Sequence, residues 1–300
     1  MTKEGFTKET HAGFVSLIGR PNAGKSTLMN SLLGENIAMV SQKANATRKR
    51  SNAIVMHKNT QIIFVDTPGL HEREKILNQF MLDEALKAMG DCDLIVYLAP
   101  VTDSIENYEK FLKLNSSKIK HIIVLSKIDQ VSQEKLFKKI AQYNQFSDHF
   151  EALIPMAVPK KVGHQDLLET ISKLLPKSPF LYDPEDLTSE LVRDIYAGFI
   201  REGIFQNVSD EIPYESDVII DKIYEEKNID KIIATIIIEK ESQKGIIIGK
   251  GGESIKRIGK YSREKIEALS GKKVYLDLQV VVKKGWTKDK SYLKEIGYIS

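Results

Sequence analysis

The segment GRPNAGKST, residues 19–27, constrains this 300-residue chain more than any other. It follows the apolar run FVSLI and sets Gly19, Gly24, Lys25 and Ser26 in the pattern G-x-x-x-x-G-K-[ST]. At a strand-to-helix junction such a run lets backbone N–H groups converge on phosphate oxygens, because glycines tolerate dihedrals that other residues avoid. Arg20, Pro21, Asn22 and Ala23 supply the intervening backbone. Lys25 is placed to neutralise β and γ phosphates and the Ser26 hydroxyl to reach Mg²⁺, while a helix opening near Thr27 points its positive end at the same charge. The remaining apolar runs of this half are AIVM from Ala53, IIFV from Ile62, LIVYL from Leu94 and IIVL from Ile122. Doubly apolar strands between amphipathic stretches predict an α/β domain with a mostly parallel sheet and helices on both faces. The turn HKNT, residues 57–60, leaves no room for a helix and predicts an antiparallel hairpin at one sheet edge.

A phosphate cradle serves ATP and GTP alike, so the base is argued from two later segments. The run IIFV ends in DTPG. There Asp66 can hold Mg²⁺ through water and Gly69 can turn its N–H to a γ-phosphate; with Thr67, Pro68 and Leu70 they form a loop that relaxes when that phosphate leaves. The run IIVL ends in SKID, residues 126–129. The Asp129 carboxylate can accept from guanine N1–H and N2–H₂, which adenine does not offer, while Lys127 packs its stem over the base and Ile128 sits between them. Read alone, SKID is a surface lysine and aspartate at a strand end; behind GRPNAGKST and DTPG it is a base-selecting loop. Between the phosphate loop and DTPG, KANATRKR offers Thr47, either an ordinary loop hydroxyl or the residue that completes a Mg²⁺ shell and senses the γ-phosphate.

The text changes at PKSPFLYDPED, where three prolines interrupt any regular element. This predicts a first domain over 1–178, a linker over 179–188 and a second domain over 189–300. The second domain reads as a helix, two extended segments, a helix pair around GIIIGKGGESIKRIG, a strand and a short terminal helix. Gly249, Lys250, Gly251 and Gly252 form a G-x-x-G loop ahead of a helix whose buried face runs through Ile255, Ile258, Gly259, Ser262, Ile266 and Leu269. Glycines there let a single-stranded nucleic-acid backbone approach, with Lys250 as a phosphate partner and Lys256, Arg257 and Lys260 extending a basic track. The same loop also reads as a nest for another anion or as a plain helix cap. Lys284 and Trp286 close the last strand, to touch RNA or to seal the core; packing is the favoured role for Trp286.

Composition narrows the classes. A net charge of +3 requires any nucleic acid to be held by a local basic surface. The single cysteine, Cys92, makes no intramolecular disulfide and, beside LIVYLA, reads as a core thiol. The charged start MTKEGFTKET lacks the apolar core of a signal peptide, and no run approaches a membrane span, so a cytoplasmic location is expected.

SKID resembles the N-K-x-D motif of Ras-like GTPases, with Ser126 where asparagine is usual; a shorter hydroxyl predicts weaker nucleotide binding with unchanged base choice. Ala157, in IPMAV, matches the base-contacting S-A loop of that class, with Met156 where serine is usual. Leu70 stands after DTPG, where Ras-like enzymes place a water-orienting Gln nearby; in the class this chain resembles, an asparagine at the place of Asn22 helps bind K⁺, the alternative being a turn-stabilising amide. The order of second-half elements matches a type II KH domain, a smaller α+β fold. GRPNAGKST, KANATRKR, DTPGLH, SKID, DEIPYES, IIIGKGG and VVVKKGW, in this order, resemble the Era family of bacterial GTPases. The resemblance implies a Ras-like G domain joined to a KH domain that binds the 3′ end of small-subunit rRNA. It also implies a role in 30S assembly, slow Mg²⁺-dependent GTP hydrolysis, a monomer, and peripheral contact with the inner face of the membrane. Position by position, it implies that residues 19–27, Asp66–Leu70, Ser126–Asp129 and Ala157 hold the nucleotide, and that Ser26, Thr47 and Asp66 hold Mg²⁺. Asn22, Lys25, Thr47 and Gly69 would serve hydrolysis, and Gly249–Gly252, Lys256, Arg257 and Lys284 would contact RNA. Three rival readings are a P-loop ATPase or kinase, a nucleotide-switched RNA chaperone with negligible hydrolysis, and a tRNA-modification or other ribosome-assembly GTPase, against which a single G domain followed by G-x-x-G speaks.

Overall fold

The computed structural model describes residues 9–35, 37–38, 51–68, 83, 85–208, 212–296 and 298; Thr47, Gly69 and Leu70 lie outside them. The chain forms two compact units, one drawn from residues within 1–34, 50–70 and 84–189, the other with Glu190–Ser300 as its main body.

In the first unit six strands form one sheet in the order β2-β3-β1-β4-β5-β6. They are β1 His11–Ile18, β2 Ser51–His57, β3 Thr60–Asp66, β4 Leu94–Pro100, β5 His121–Ser126 and β6 Ala152–Pro155. Every pairing is parallel except β2 with β3, which close a hairpin across Lys58 and Asn59, with Lys58 at φ +54°. Each residue of β3, β4 and β5 is buried, as strands covered on both faces require. The four-residue β6 went unread because ALIP is too short to show a period. Around the sheet lie α1 Lys25–Leu33, α2 Glu106–Leu114, α3 Gln133–Asn144 and α4 His164–Leu174. Tyr97, Tyr108, Phe111 and Tyr143 stack in the core that α2 and α3 share with the sheet; Cys92 belongs to the same core. Because β1, β3, β5 and β6 run the same way, the loops after them gather along one sheet edge, where ligands of open α/β sheets bind.

Residues 179–188, read from their prolines as a linker, lie against the hairpin. The Ile54 N–H donates to the Leu187 carbonyl at 2.9 Å, and the Thr188 hydroxyl to the Asn52 carbonyl at 2.5 Å. Gln61, fully buried, donates to the Tyr182 carbonyl at 2.8 Å and accepts from the Leu181 and Tyr182 N–H groups at 2.7 and 3.0 Å.

The second unit has a three-stranded sheet, β7 Ser216–Tyr224, β8 Ile229–Ile238 and β9 Lys273–Val282, with β8 antiparallel to β7 and parallel to β9. Its helices are α5 Val192–Asn207, α6 Glu241–Ile248, α7 Glu253–Ser270 and α8 Lys290–Glu295. Along β8 Ile232, Ala234, Ile236 and Ile238 are fully buried, the period of two that one covered face dictates. On α7 Ile258, Ser262 and Ile266 are buried, and Ile255, Gly259 and Leu269 are partly covered, so the helical spacing read from sequence marks the packed face. Trp286 is fully buried with Ile237, Tyr292, Leu293 and Tyr298, and its Nε1–H donates to the Glu215 carbonyl at 3.1 Å. It seals the core.

Candidate functional site

The loop after β1 enters α1 through Gly24, at φ +104°, a left-handed conformation that a side chain resists. Lys25, 6% exposed, points its Nζ back at the Gly19 and Arg20 carbonyls, at 3.2 and 3.3 Å. Burial holds this ammonium below its ordinary pKa, the Asp66 carboxylate opposes that shift, and Arg20 adds to it. A buried cation at a helix start with two long carbonyl contacts is short of counter-charge, the condition a phosphate relieves. Beside it the Ser26 hydroxyl donates to Asp66 Oδ2 at 2.5 Å, and Thr67 anchors the loop through its hydroxyl on the Leu17 carbonyl at 2.8 Å. A hydroxyl and a carboxylate side by side are the hard oxygen donors Mg²⁺ takes, so Ser26 and Asp66 fit that ion. Among the described residues there is no cluster of three or more His, Cys, Asp or Glu that could hold a metal ion.

The SKID segment meets the phosphate loop from β5. Ser126, 2% exposed, donates to the Ala23 carbonyl at 3.1 Å, so the hydroxyl still braces the loop that an asparagine would brace. Lys127, left-handed at φ +59°, donates from its Nζ to the Asn22 carbonyl at 2.9 Å. Asp129 stands exposed in the short turn Ile128–Gln130, its carboxylate open to a base. The Ile128 N–H donates to the Met156 carbonyl at 3.3 Å, which brings the segment holding buried Ala157 against SKID. Asn22 is exposed and left-handed, at φ +59°. The structure thus gathers residues 19–27, Asp66–Pro68, Ser126–Asp129 and Ala157 along one edge.

In the second unit Gly249 ends α6 at φ +75°, and a Cβ there would lie 2.7 Å from Ser254 Cβ and 2.8 Å from its nitrogen. Gly251 and Gly252 are also left-handed, at φ +60° and +78°, with open space where a Cβ would lie, so it is backbone conformation and not crowding that calls for glycine at these two positions. Lys250, Lys256, Arg257 and Lys284 are all exposed. A turn with three glycines and one exposed lysine, bordered by further cations, can take a sugar–phosphate backbone.

A family model described as "50S ribosome-binding GTPase" matches residues 14–127, and one described as "KH domain" matches residues 211–287. GTPase Era of Campylobacter lari is 52% identical over 287 residues, which cover 96% of this chain and 99% of that protein. The chain belongs to the Era family of GTPases. GTPase Era of Helicobacter pylori, 51% identical over 296 residues, covers 97% of this chain and 98% of its own length. A point variant of Aquifex aeolicus Era bound to GDP·AlF₄⁻ superposes with a TM-score of 0.92 at 30% identity, covering 97% of this chain and all of its own. A second Era structure, in complex with MgGDPNP and nucleotides 1506–1542 of 16S ribosomal RNA, matches equally well. The first unit is accordingly a P-loop GTPase domain and the second a KH domain of the Era family.

Two features of the site escaped the sequence. Asp103, in the turn after β4, grips Arg20 of the phosphate loop, and Gly19 packs so tightly that a Cβ would lie 2.7 Å from the Leu98 carbonyl. Neither contact has a spacing signal, since β4 enters the site only when the sheet forms.

Proposed function

We propose that this protein binds GTP with Mg²⁺, hydrolyses it slowly, and uses its KH domain to hold the 3′ end of small-subunit rRNA during 30S assembly. The observation that carries the reading is an end-to-end likeness, TM-score 0.92, to an Era whose structure holds MgGDPNP and the 3′ segment of 16S rRNA together. The family model for residues 14–127 names the large subunit. It covers the GTPase domain alone, and the relatives that match both domains outweigh it. In this reading the residue 19–27 loop and Lys25 bind the phosphates, Ser26 and Asp66 hold Mg²⁺, and Asp129 selects guanine. When bound, the ion would neutralise charge on the phosphate oxygens; buried Lys25 adds fixed positive charge beside them. Thr47, Gly69 and Leu70 are assigned by motif.

Asn22 is the candidate for a K⁺ ligand, because it stands exposed in the phosphate loop and its side-chain amide carries a carbonyl oxygen of the kind a monovalent cation takes. Hydrolysis is then faster in K⁺ than in Na⁺ buffer, and Asn22→Ala removes the difference; equal rates in both salts would end this part of the reading. The protein acts as a monomer in the cytoplasm with peripheral membrane contact. Among the described residues no helix is long and apolar enough to cross a membrane.

The deciding experiment for the RNA half is fluorescence anisotropy with an oligonucleotide copying the 3′ end of small-subunit rRNA. Gly249→Ala forces a side chain into a left-handed position and against Ser254, so it weakens RNA binding at least tenfold and leaves GDP binding unchanged. Equal affinity for a scrambled oligonucleotide would contradict the assignment.

A further inference from the structure

We infer that Asp103 is a positioning residue for GTP binding, holding the phosphate loop in its anion-binding shape through Arg20. The inference rests on the nucleotide-binding reading of that loop. Arg20 donates from Nε to Asp103 Oδ2 at 2.5 Å and from Nη2 to Oδ1 at 2.6 Å, the fork-to-fork geometry that fixes a guanidinium in both position and plane. Its remaining Nη1 reaches the Pro21 carbonyl at 3.2 Å, so the fork is turned onto protein. Asp103 is itself held: its side chain is 4% exposed, its N–H donates to the Pro100 carbonyl at 2.8 Å, and Lys139 Nζ on α3 donates to its carbonyl at 2.8 Å. The brace therefore runs from α3 through the turn after β4 to the second residue of the phosphate loop.

The main chain at Arg20 shows why this matters. The Arg20 carbonyl accepts from the Ala23 N–H at 3.2 Å and from Lys25 Nζ at 3.3 Å, so one peptide group sets both the turn of the loop and the seat of its lysine. A side chain locked at Arg20 limits rotation of that peptide, and preorganised N–H groups are what make such a loop bind phosphate tightly. The carboxylate also offsets the guanidinium charge, which otherwise disfavours the Lys25 ammonium behind it. An arginine free to reach the phosphates would need no such buried acceptor.

The test is stopped-flow dissociation of fluorescent GDP from the full chain with Mg²⁺, for the wild type, Arg20→Ala, Asp103→Asn, Asp103→Glu and the Arg20→Ala/Asp103→Asn double variant. Thermal unfolding of each nucleotide-free protein is recorded in parallel. Each of Arg20→Ala and Asp103→Asn speeds GDP release about tenfold, the double variant is no faster than either single one, and Asp103→Glu recovers part of the loss. Rates equal to wild type would overturn the inference, as would effects that multiply in the double variant or that scale with a fall in melting temperature. Failure of the wild type to bind GDP would overturn the nucleotide reading itself, and this inference with it.

Discussion

At the residue scale, the phosphate loop rests on two side chains from distant parts of the chain, Asp103 on Arg20 and Ser126 on the Ala23 carbonyl. Gly19, Gly24, Lys25 and Ser26 announce themselves because a phosphate cradle needs those residue types in one short run. Asp103 is 83 positions from Arg20, and no local pattern marks it. Ser126 is an intermediate case: the expectation of weaker binding came from what a hydroxyl lacks, while the structure shows what it keeps, a bond to the Ala23 carbonyl. Ser126→Ala removes that bond and weakens GDP binding about fivefold, roughly 1 kcal/mol, by equilibrium titration. Tyr143 presents the opposite situation. Its hydroxyl is buried among Tyr97, Tyr108 and Asp103 with no hydrogen-bond partner among the described residues. Tyr143→Phe deletes an unsatisfied polar atom while keeping the ring packing, and raises the stability of the first unit by about 1 kcal/mol in urea unfolding; a loss of that size would mean the hydroxyl is bonded.

At the scale of elements, periodicity found the long strands and the amphipathic α7 but not the four-residue β6, nor the placement of residues 179–188 against the hairpin. Proline stops helices and strands, so the sequence of that segment reads as a linker; its carbonyls and N–H groups are served by a glutamine side chain and an edge strand, which composition does not reveal. Gln61→Leu leaves the Leu181 and Tyr182 backbone groups to water, so their amides lose hydrogen-exchange protection by about an order of magnitude while those of β4 are unchanged. Between α2 and β5, Tyr108 Oη lies 2.8 Å from His121 Nε2, and burial pushes the His121 pKa from 6.5 down to about 4. The sign follows from linkage: the unfolded chain binds a proton below pH 6.5 that the folded one takes up only near pH 4. The stabilisation is full above pH 6.5 and is lost as pH falls through that window, by up to about 3 kcal/mol. Urea midpoints between pH 7.5 and 4 measure it, and His121→Asn flattens the slope. In the second unit, buried Glu202 on α5 accepts from Tyr261 at 2.5 Å and Lys265 at 2.6 Å on α7. Lys265→Met leaves the carboxylate buried with less positive charge beside it and costs about 2 kcal/mol, a value reduced because Lys265 is partly exposed.

At the scale of the whole molecule, two binding chemistries are carried by two separate cores, each with its own glycine-shaped loop. The loop at Gly24 opens onto a helix start with a buried lysine behind it, which suits a compact, highly charged phosphate chain. The loop at Gly249–Gly252 is bordered by exposed cations, which suits an extended polymer. That both modules belong to one Era-family chain was legible from the order of seven short motifs. How the phosphate loop is braced was not, because bracing depends on tertiary contacts that leave no mark on spacing. In the proposed function everything downstream depends on the first unit selecting guanine nucleotides through Asp129. Equilibrium binding of labelled GDP, a GTP analogue and an ATP analogue to wild type and Asp129→Asn, in Mg²⁺ and K⁺, measures that selection. Binding of the two guanine nucleotides alone, lost in Asp129→Asn, is the expected result; comparable binding of the ATP analogue by wild type would contradict it.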